Sequence, residues 1–251
     1  YVSNGRSLMS AMPEPWFWRA MTDNDWGEGL QRTANVWRTN RRKVESVVVE
    51  QFADRLVVKT DSTLVDAPSR YTLTYTFRAD GALMVEVAWQ REGEYVPELP
   101  RFGMRMTLPA NCKNFTYYGR GPYENYIDRW SASYLGIYEQ STDRQLFPYV
   151  RPQESGNKCD VRWLELTDDE GRGVRVEGLQ PLSVSAMPYR SEDLDPGLGT
   201  KKQMHYSDIE PRREVVLHVD LAQRGLGGDN SWGASPHPQY RLTEDSYTYG
   251  Y

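Results

Sequence analysis

The chain has 251 residues, and its 30 basic and 35 acidic residues give a formal net charge of -5. The two signs are intermixed, so no basic stripe indicates a nucleic-acid partner. No apolar run approaches the roughly 18 residues that a membrane span requires. The composition therefore predicts a protein that binds neither nucleic acid nor membrane.

Alternation of apolar and polar residues with a period of two dominates the chain and favours β-strands. Residues 71–77 and 82–89 predict a hairpin, and residues 46–50 and 54–60 predict a second one. Further strands are predicted at 104–108, 114–119, 161–167, 173–178, 182–187, 213–221, 238–242 and 246–251. Short strands at this spacing predict an all-β fold, a large antiparallel β-sandwich.

A helical period is present only weakly, at residues 28–43. No linker, internal repeat or low-complexity tract divides the chain, so residues 1–251 are interpreted as one domain. The opening YVSNGRSLMS lacks the apolar centre of a signal peptide. It also lacks an initiator Met, which is consistent with a piece of a longer protein.

Cys112 and Cys159 are the only cysteines, and the three histidines, His205, His218 and His237, are scattered. These spacings match no metal site, so no bound metal is expected in this chain. Two buried thiols are preferred over a disulfide, although the spacing leaves a disulfide open.

Eight Trp and 17 Tyr make the chain rich in aromatic residues. Aromatic side chains favour strands, and they also offer flat faces on which the C–H groups of a sugar ring pack. Residues 16–29 and 117–130 crowd aromatics against Asp, Asn and Gly, which predicts long hydrogen-bonded loops. Loops of this kind often carry function on a β scaffold. Trp16 and Trp26 are the tryptophans expected to be partly exposed.

Four motif segments occur in order along the chain: FWRAMTDNDWG (17–27), YYGRGPYENYIDR (117–129), PYVRPQESGNKCDVRWLEL (148–166) and LGGDNSWG (226–233). Together they resemble the C-terminal domain of the large multidomain β-galactosidases of glycoside hydrolase family 2, which is a separate small subunit in some bacteria. The resemblance spans nearly the whole chain. It implies an antiparallel β supersandwich related to galactose mutarotase, which agrees with the strand pattern.

The resemblance also implies that the catalytic glutamates lie on a (β/α)₈ barrel elsewhere in the parent enzyme, and this chain has no strand–helix alternation to build one. A retaining glycosidase needs two carboxyl groups about 5–5.5 Å apart. Asp23 with Asp25, and Glu124 with Asp128, are close in sequence. The first pair is interpreted as part of a hydrogen-bonded turn, and the second as ion pairing and loop bracing. We therefore predict no complete catalytic site in this chain.

The segment RGLGGDNSW (224–232) places one large aromatic residue after three glycines. On its own this pattern suits either a core anchor or a binding loop. The resemblance implies that Trp232 reaches the barrel's active site and forms an apolar platform for the aglycone or acceptor sugar. Glycines allow positive φ, and Asp229 and Asn230 are expected to support the loop by bonding to its backbone.

The stretch after Gly27 is a second candidate. In the family the matching stretch is mobile and lies beside the active site, which implies that Gly27 and Gly29 act as hinges. The sequence diverges from the family beyond Gly27, so an ordinary surface loop stays an equal alternative. The segment at 119–129 is expected to be structural.

The resemblance implies several partners. These are the barrel and other domains of a parent β-galactosidase, which is expected to be a homo-oligomer, and a β-galactoside substrate. No cofactor is expected in this chain, and Mg and Na ions of the parent are expected mainly on its other domains. The compartment stays open between bacterial cytoplasm and periplasm.

Two other functions stay open. A stand-alone carbohydrate-binding module needs several aromatic residues on one face with convergent polar groups. A mutarotase-like epimerase needs a histidine and a carboxylate in one cleft, and none of the three histidines lies in a recognisable site motif. A domain that docks on a barrel, by contrast, should expose excess apolar surface near residues 13–37 and 224–237.

Overall fold

The computed structural model describes residues 2–3, 5–39, 41–195, 197, 204–230 and 233–251. Its strands, in chain order, are β1 (Val2–Ser3), β2 (Arg6–Ser7), β3 (Ala11–Trp16), β4 (Arg42–Gln51), β5 (Arg55–Leu64), β6 (Ser69–Arg78), β7 (Leu83–Arg91), β8 (Arg101–Pro109), β9 (Asn114–Gly121), β10 (Tyr134–Ser141), β11 (Lys158–Thr167), β12 (Gly173–Met187), β13 (Glu214–Gln223) and β14 (Ser246–Gly250).

The helices are short. The α-helices are α1 (Asp23–Glu28), α2 (Leu30–Thr33) and α3 (Ser191–Leu194), and single turns of 3₁₀-helix lie at Asn35–Trp37, Thr142–Arg144, Tyr206–Asp208 and Pro238–Tyr240. None of the helices in the described ranges is long and apolar enough to cross a membrane.

Two antiparallel sheets form a sandwich, which confirms the predicted fold class. The larger sheet has the strand order β10-β9-β11-β12-β13-β8-β3, and the smaller has the order β14-β7-β6-β5-β4. Every ladder between these strands is antiparallel. Strands β1 and β2 form a separate two-stranded sheet. The assignment of the chain to one domain stays a prediction.

The core lies between the two sheets and is rich in aromatic rings. Phe102 of β8 lies 6.4 Å from Trp89 of β7 and 5.4 Å from Tyr247 of β14, measured between ring centroids. Phe17 extends this cluster to Trp37 at 5.4 Å. Large rings of this kind dominate the energetics of a core. Much of the aromatic content therefore serves packing between the sheets.

The predicted hairpins are confirmed as β6–β7 and β4–β5. Other parts of the strand prediction are wrong. Residues 238–242 do not form a strand, because Pro238 begins a turn of 3₁₀-helix. Residues 173–178 and 182–187 belong to the single strand β12, where an irregularity in the ladder with β11 absorbs the residues between them. The helix expected at 28–43 is limited to short turns, since β4 begins at Arg42.

Four strands were not predicted: the two-residue strands β1 and β2, and strands β3 and β10, which lie at the edges of the larger sheet. Strand β3 contains Pro13 and Pro15, and proline is tolerated in an edge strand because one side of that strand has no neighbour to bond. In β10 no residue is fully buried, so the sequence shows no clear period of two.

Cys112 and Cys159 are free and buried, which confirms the preference for two thiols. Burial raises the pKa of the Cys159 thiol to about 12. A thiol with so high a pKa stays protonated near neutral pH and is therefore a poor nucleophile.

Gly103 of β8 lies directly opposite Asp220 of β13. A methyl group at position 103 would lie 2.8 Å from the Cα atom of Asp220 and would overlap its carboxylate. We expect Gly103→Ala to lower the free energy of unfolding by about 2–3 kcal/mol, as overpacking does in a core. Gly136→Ala is the control, because its methyl group would meet only the Tyr138 ring, at 3.3 Å. Denaturant titration measures both, and an equal loss in the two variants would contradict the packing argument.

Candidate functional site

The four motif segments are far apart in sequence but meet in space. Asn24 of the first segment donates from Nδ2 to the carbonyl oxygen of Gly227 in the fourth, at 3.2 Å. Asp128 of the second segment accepts a hydrogen bond from the backbone N of Gly227 at 2.8 Å. Glu154 of the third segment donates from its backbone N to the carbonyl of Ala20 at 3.0 Å. The sequence motifs therefore form one assembly around the loop that contains Gly227.

The stretch Asp23–Asn24–Asp25 is the first turn of helix α1, where the sequence predicted a hydrogen-bonded turn. Thr22 caps this helix, because the Asp25 backbone N donates to Thr22 Oγ1 at 3.2 Å. The Thr22 backbone N in turn donates to Asp25 Oδ2 at 2.9 Å, which completes a capping box. The cap fixes where the Asp25 carboxylate points.

Asp25 is fully buried between two arginines that are also fully buried. Arg19 Nη2 lies 2.8 Å from Asp25 Oδ1, and Arg224 Nη1 lies 3.5 Å from the same oxygen. Arg19 also donates to the carbonyl of Gly225 at 3.1 Å, and Arg224 contacts Glu28 at 2.6 Å. Buried charges are costly unless they are paired. This ion network therefore joins the first motif segment firmly to Arg224 and Gly225. These two residues begin the segment 224–233, which we call the glycine-rich loop.

The glycine-rich loop has the backbone that the sequence predicted. Gly227 and Gly228 have φ values of 64° and 85°, in the left-handed region that favours glycine. A methyl group on Gly228 would collide with the Asn24 side chain. The Gly228 backbone N donates to the carbonyl of Ala234 at 3.0 Å, and the Ala234 backbone N donates to Asn230 Oδ1 at 3.2 Å. Asn230 thus supports the loop through its backbone.

Asp229 contacts a side chain, since His237 Nε2 lies 2.7 Å from Asp229 Oδ2, and its bonding to the loop backbone stays a prediction. Ser235 donates from its hydroxyl to Glu28 Oε1, so α1 also holds the segment that follows the loop. Glu28, Ser235 and His237 are loop supports that were not predicted from the sequence. Their only signal was a position in or next to a motif segment.

Trp232 lies outside the described residues, so its role as a sugar platform stays a prediction. Gly27 lies within α1, and Gly29, with φ of 87°, joins α1 to α2. A methyl group on Gly233 would collide with the backbone of Gly27. The stretch at Gly27 and the glycine-rich loop are therefore in direct contact. The mobility expected of the stretch after Gly27 stays a prediction.

The prediction of excess exposed apolar surface near residues 13–37 and 224–237 is wrong for the described residues. The large apolar side chains that are exposed lie elsewhere, chiefly on β4 and near β10. Trp16 and Trp26 are half-buried, as predicted. The guanidinium of Arg151 lies over the Trp26 ring, 4.4 Å from its centroid, and so covers one indole face with a charged group.

The four carboxylates considered from the sequence are all bound to groups of this chain. Asp25 is held in the buried ion network, whereas Asp23 is exposed and accepts from Gln153 Nε2 at 3.3 Å. Glu124 and Asp128 accept hydrogen bonds from backbone N–H groups of two different loops. Loop bracing by the second pair is confirmed, but neither member forms the predicted ion pair within the described part of the chain.

A histidine and two carboxylates do meet inside the protein. Arg101 contacts Glu154 at 2.6 Å and Asp220 at 2.9 Å, and its Nη1 lies 3.4 Å from His218 Nδ1. Burial lowers the pKa of His218 well below its usual value and raises the pKa of Asp220 to about 8. All four side chains are buried. This cluster therefore cannot contact a sugar as an epimerase site must.

The described ranges contain no group of three or more His, Cys, Asp or Glu side chains that could hold a metal ion. One buried cation lies in the third motif segment. Lys158 donates from Nζ to Gln145 Oε1 at 3.0 Å and to the Gly156 carbonyl at 3.2 Å. Burial lowers the pKa of Lys158 to about 8.

The comparisons with known proteins agree with the motif segments. The family model described as beta galactosidase small chain matches residues 1–251. Relatives named beta-galactosidase are 37% identical over 243 residues in Lactobacillus delbrueckii subsp. bulgaricus, 36% over 244 residues in Priestia megaterium and 32% over 247 residues in Halalkalibacterium halodurans. These matches cover 95–96% of this chain but only 23–24% of each relative.

The chain thus spans about a quarter of the length of these relatives, which places it in the class of β-sandwich domains found in multidomain glycosidases. It belongs to the beta galactosidase small chain family. Among solved structures, a lysyl oxidase of Pichia pastoris aligns with a TM-score of 0.26 and 13% identity over 83% of this chain and 37% of its own. That likeness is too distant to support an argument.

Asp25→Asn is expected to lower the free energy of unfolding by about 3–5 kcal/mol, because it removes the charge between two buried arginines. The control is Asp23→Asn, at an exposed position two residues earlier, which should change stability by less than about 0.5 kcal/mol. Urea titration measures both variants. Similar losses in the two variants would show that the buried ion network does not stabilise this region.

Lys158→Met tests the buried cation through the pH dependence of stability. The ordinary lysine pKa of 10.5 applies to the unfolded chain and a pKa of about 8 to the folded one. Between these values the unfolded chain binds more protons, so wild-type stability rises with pH. We expect the wild type to gain about 2 kcal/mol relative to Lys158→Met between pH 8 and pH 10. Denaturation at both pH values measures this, and parallel changes in the two proteins would refute it.

Proposed function

We propose that this chain is a non-catalytic component of a retaining β-galactosidase and that it completes an active site carried by the (β/α)₈ barrel of the parent enzyme. The observation that carries the proposal is the meeting of the four motif segments around the glycine-rich loop. The relatives' name supports hydrolysis of terminal β-D-galactosides as the reaction. In this proposal the other domains hold any Mg or Na ions of the parent.

Trp232 has the role of an apolar platform for the aglycone or acceptor sugar. The described parts of the loop favour this role because they are anchored on both sides of that residue. Asn24 and Asp128 bond to Gly227 before it, and Glu28 bonds to Ser235 after it. An aromatic residue on a loop with fixed ends can present its face at one place without a large loss of entropy on binding.

The chain alone is expected to bind galactosides weakly or not at all. A single ring offers about 1 kcal/mol beyond its area burial, whereas a millimolar site requires about 4 kcal/mol. The exposed described residues beside the loop are mainly polar, which argues against docking through a wide apolar patch. Contact with the barrel therefore depends on hydrogen bonds and charges around one indole, in place of a wide apolar patch.

The first experiment measures hydrolysis of an aryl β-galactoside by the chain alone, by its large-chain partner alone, and by the two mixed. We expect activity only in the mixture, because in this proposal the platform lies in this chain and the carboxylates lie outside it. Turnover by the isolated chain would refute the accessory role. So would full activity of the partner alone.

The second experiment replaces Trp232 in the complete enzyme. Trp232→Ala is expected to raise KM about tenfold, equivalent to about 1.4 kcal/mol, because an apolar contact with the aglycone side is lost while the carboxylates remain. Trp232→Phe keeps an aromatic face and should recover most of this loss. Kinetics with lactose and with an aryl galactoside measure the effect. An unchanged profile for Trp232→Ala on both substrates would rule out the platform.

A further inference from the structure

The smaller sheet extends beyond the larger one at strand β4. Residues directly opposite each other in an antiparallel ladder share a face, and Val49, Val58 and Tyr75 lie opposite one another in succession across β4, β5 and β6. Tyr75 packs against the core, so Val49 and its neighbour Val47 lie on the core-facing side. Yet Val47 and Val49 are 59% and 60% exposed. The core-facing side of this sheet therefore continues past the core uncovered.

Strand β4 is also the last strand of its sheet, so one edge carries no neighbouring strand among the described residues. It is ten residues long, and all ten are exposed. The side chain of Glu50 has no ion pair or hydrogen bond within the described residues. An edge strand that is long, exposed and rich in valine is a template for pairing with another chain.

We propose that β4 pairs antiparallel with β4 of a second copy of this chain, around a two-fold axis at Val47. The register follows from a β-bulge at Glu45. In the ladder with β5, Val44 and Ser46 lie opposite consecutive residues, which leaves Glu45 without a partner. When the same bulge is present in both copies, residues on one face of β4 meet residues on the same face of the second copy along the whole strand.

This register makes β4 complementary to itself. On the core-facing side Val44 lies opposite Val49 of the second copy, and Val47 lies opposite Val47. On the other side Lys43 lies opposite Glu50 of the second copy, and the two-fold axis repeats the pair. Apolar pairs and opposite charges directly across two strands stabilise a sheet. The result is one continuous sheet in which the two uncovered valine faces adjoin.

A second copy is the occupant that these residues specify. A two-fold interface requires a surface that complements itself, and the order of lysine, valines and glutamate along β4 meets that requirement. In the single chain Lys43 contacts Glu45 at 3.0 Å, but both side chains are exposed, and exposed pairs contribute little. Lys43 can therefore exchange Glu45 for Glu50 of the second copy at small cost. This inference does not rest on the proposed function.

The test is disulfide crosslinking of the full-length protein that contains this chain. In the proposed register the two Val47 positions face each other at a Cβ separation of about 4.5–5.5 Å, near the range that a disulfide bridges. Val47→Cys should therefore form a disulfide-linked dimer under mild oxidation. Lys59→Cys is the matched control, because Lys59 is exposed on β5, one strand in from the edge. Cys112 and Cys159 are buried and should not contribute.

A dimer with Val47→Cys and none with Lys59→Cys supports the interface. No dimer with Val47→Cys, or equal dimer in both variants, overturns it. The register is tested in the Val47→Cys background by charge reversal. Lys43→Glu should slow crosslinking at least fivefold by placing Glu opposite Glu50, and adding Glu50→Lys should restore the rate. Failure of the double reversal to restore crosslinking overturns the proposed register.

Discussion

The placement of Asp25 between Arg19 and Arg224 is the interaction on which the candidate site depends. Three charged side chains are removed from water there, so none of them can lose its partners without a large cost. Arg19 and Asp25 lie in the first motif segment, whereas Arg224 begins the glycine-rich loop. A loop whose glycines would otherwise make it flexible thus starts from a point that is fixed by paired charges.

The structure gives different roles to side chains of similar chemistry. His218, Asp220 and Glu154 gather around Arg101, but their burial makes the cluster a brace between strands and not a reactive centre. His237 and Asp229 form a pair on the loop that is exposed to solvent. Residue type alone does not separate these cases, because function depends on access to a ligand as well as on chemistry.

The two edge strands of the larger sheet that the sequence did not predict lack a clear period of two for different reasons. A strand can be recognised in sequence when one face is buried and the other is exposed to solvent, because apolar and polar residues then alternate. Strand β10 has no fully buried residue, and β3 contains two prolines that only an edge position tolerates. Strand β4 was predicted from its valines, but the sequence did not show that its core-facing side has nothing opposite it.

The sequence by itself determined the all-β class, the two hairpins of the smaller sheet, and the family, because period-two alternation and ordered motifs are local properties of the chain. It also determined that glycines occupy the left-handed positions of the loop. Only the tertiary structure decided that Asp25 pairs with arginines 6 and about 200 residues away, that the four motif segments meet, and that β4 overhangs the core. Each of these depends on which strands become neighbours, and the packing of two whole sheets fixes that choice.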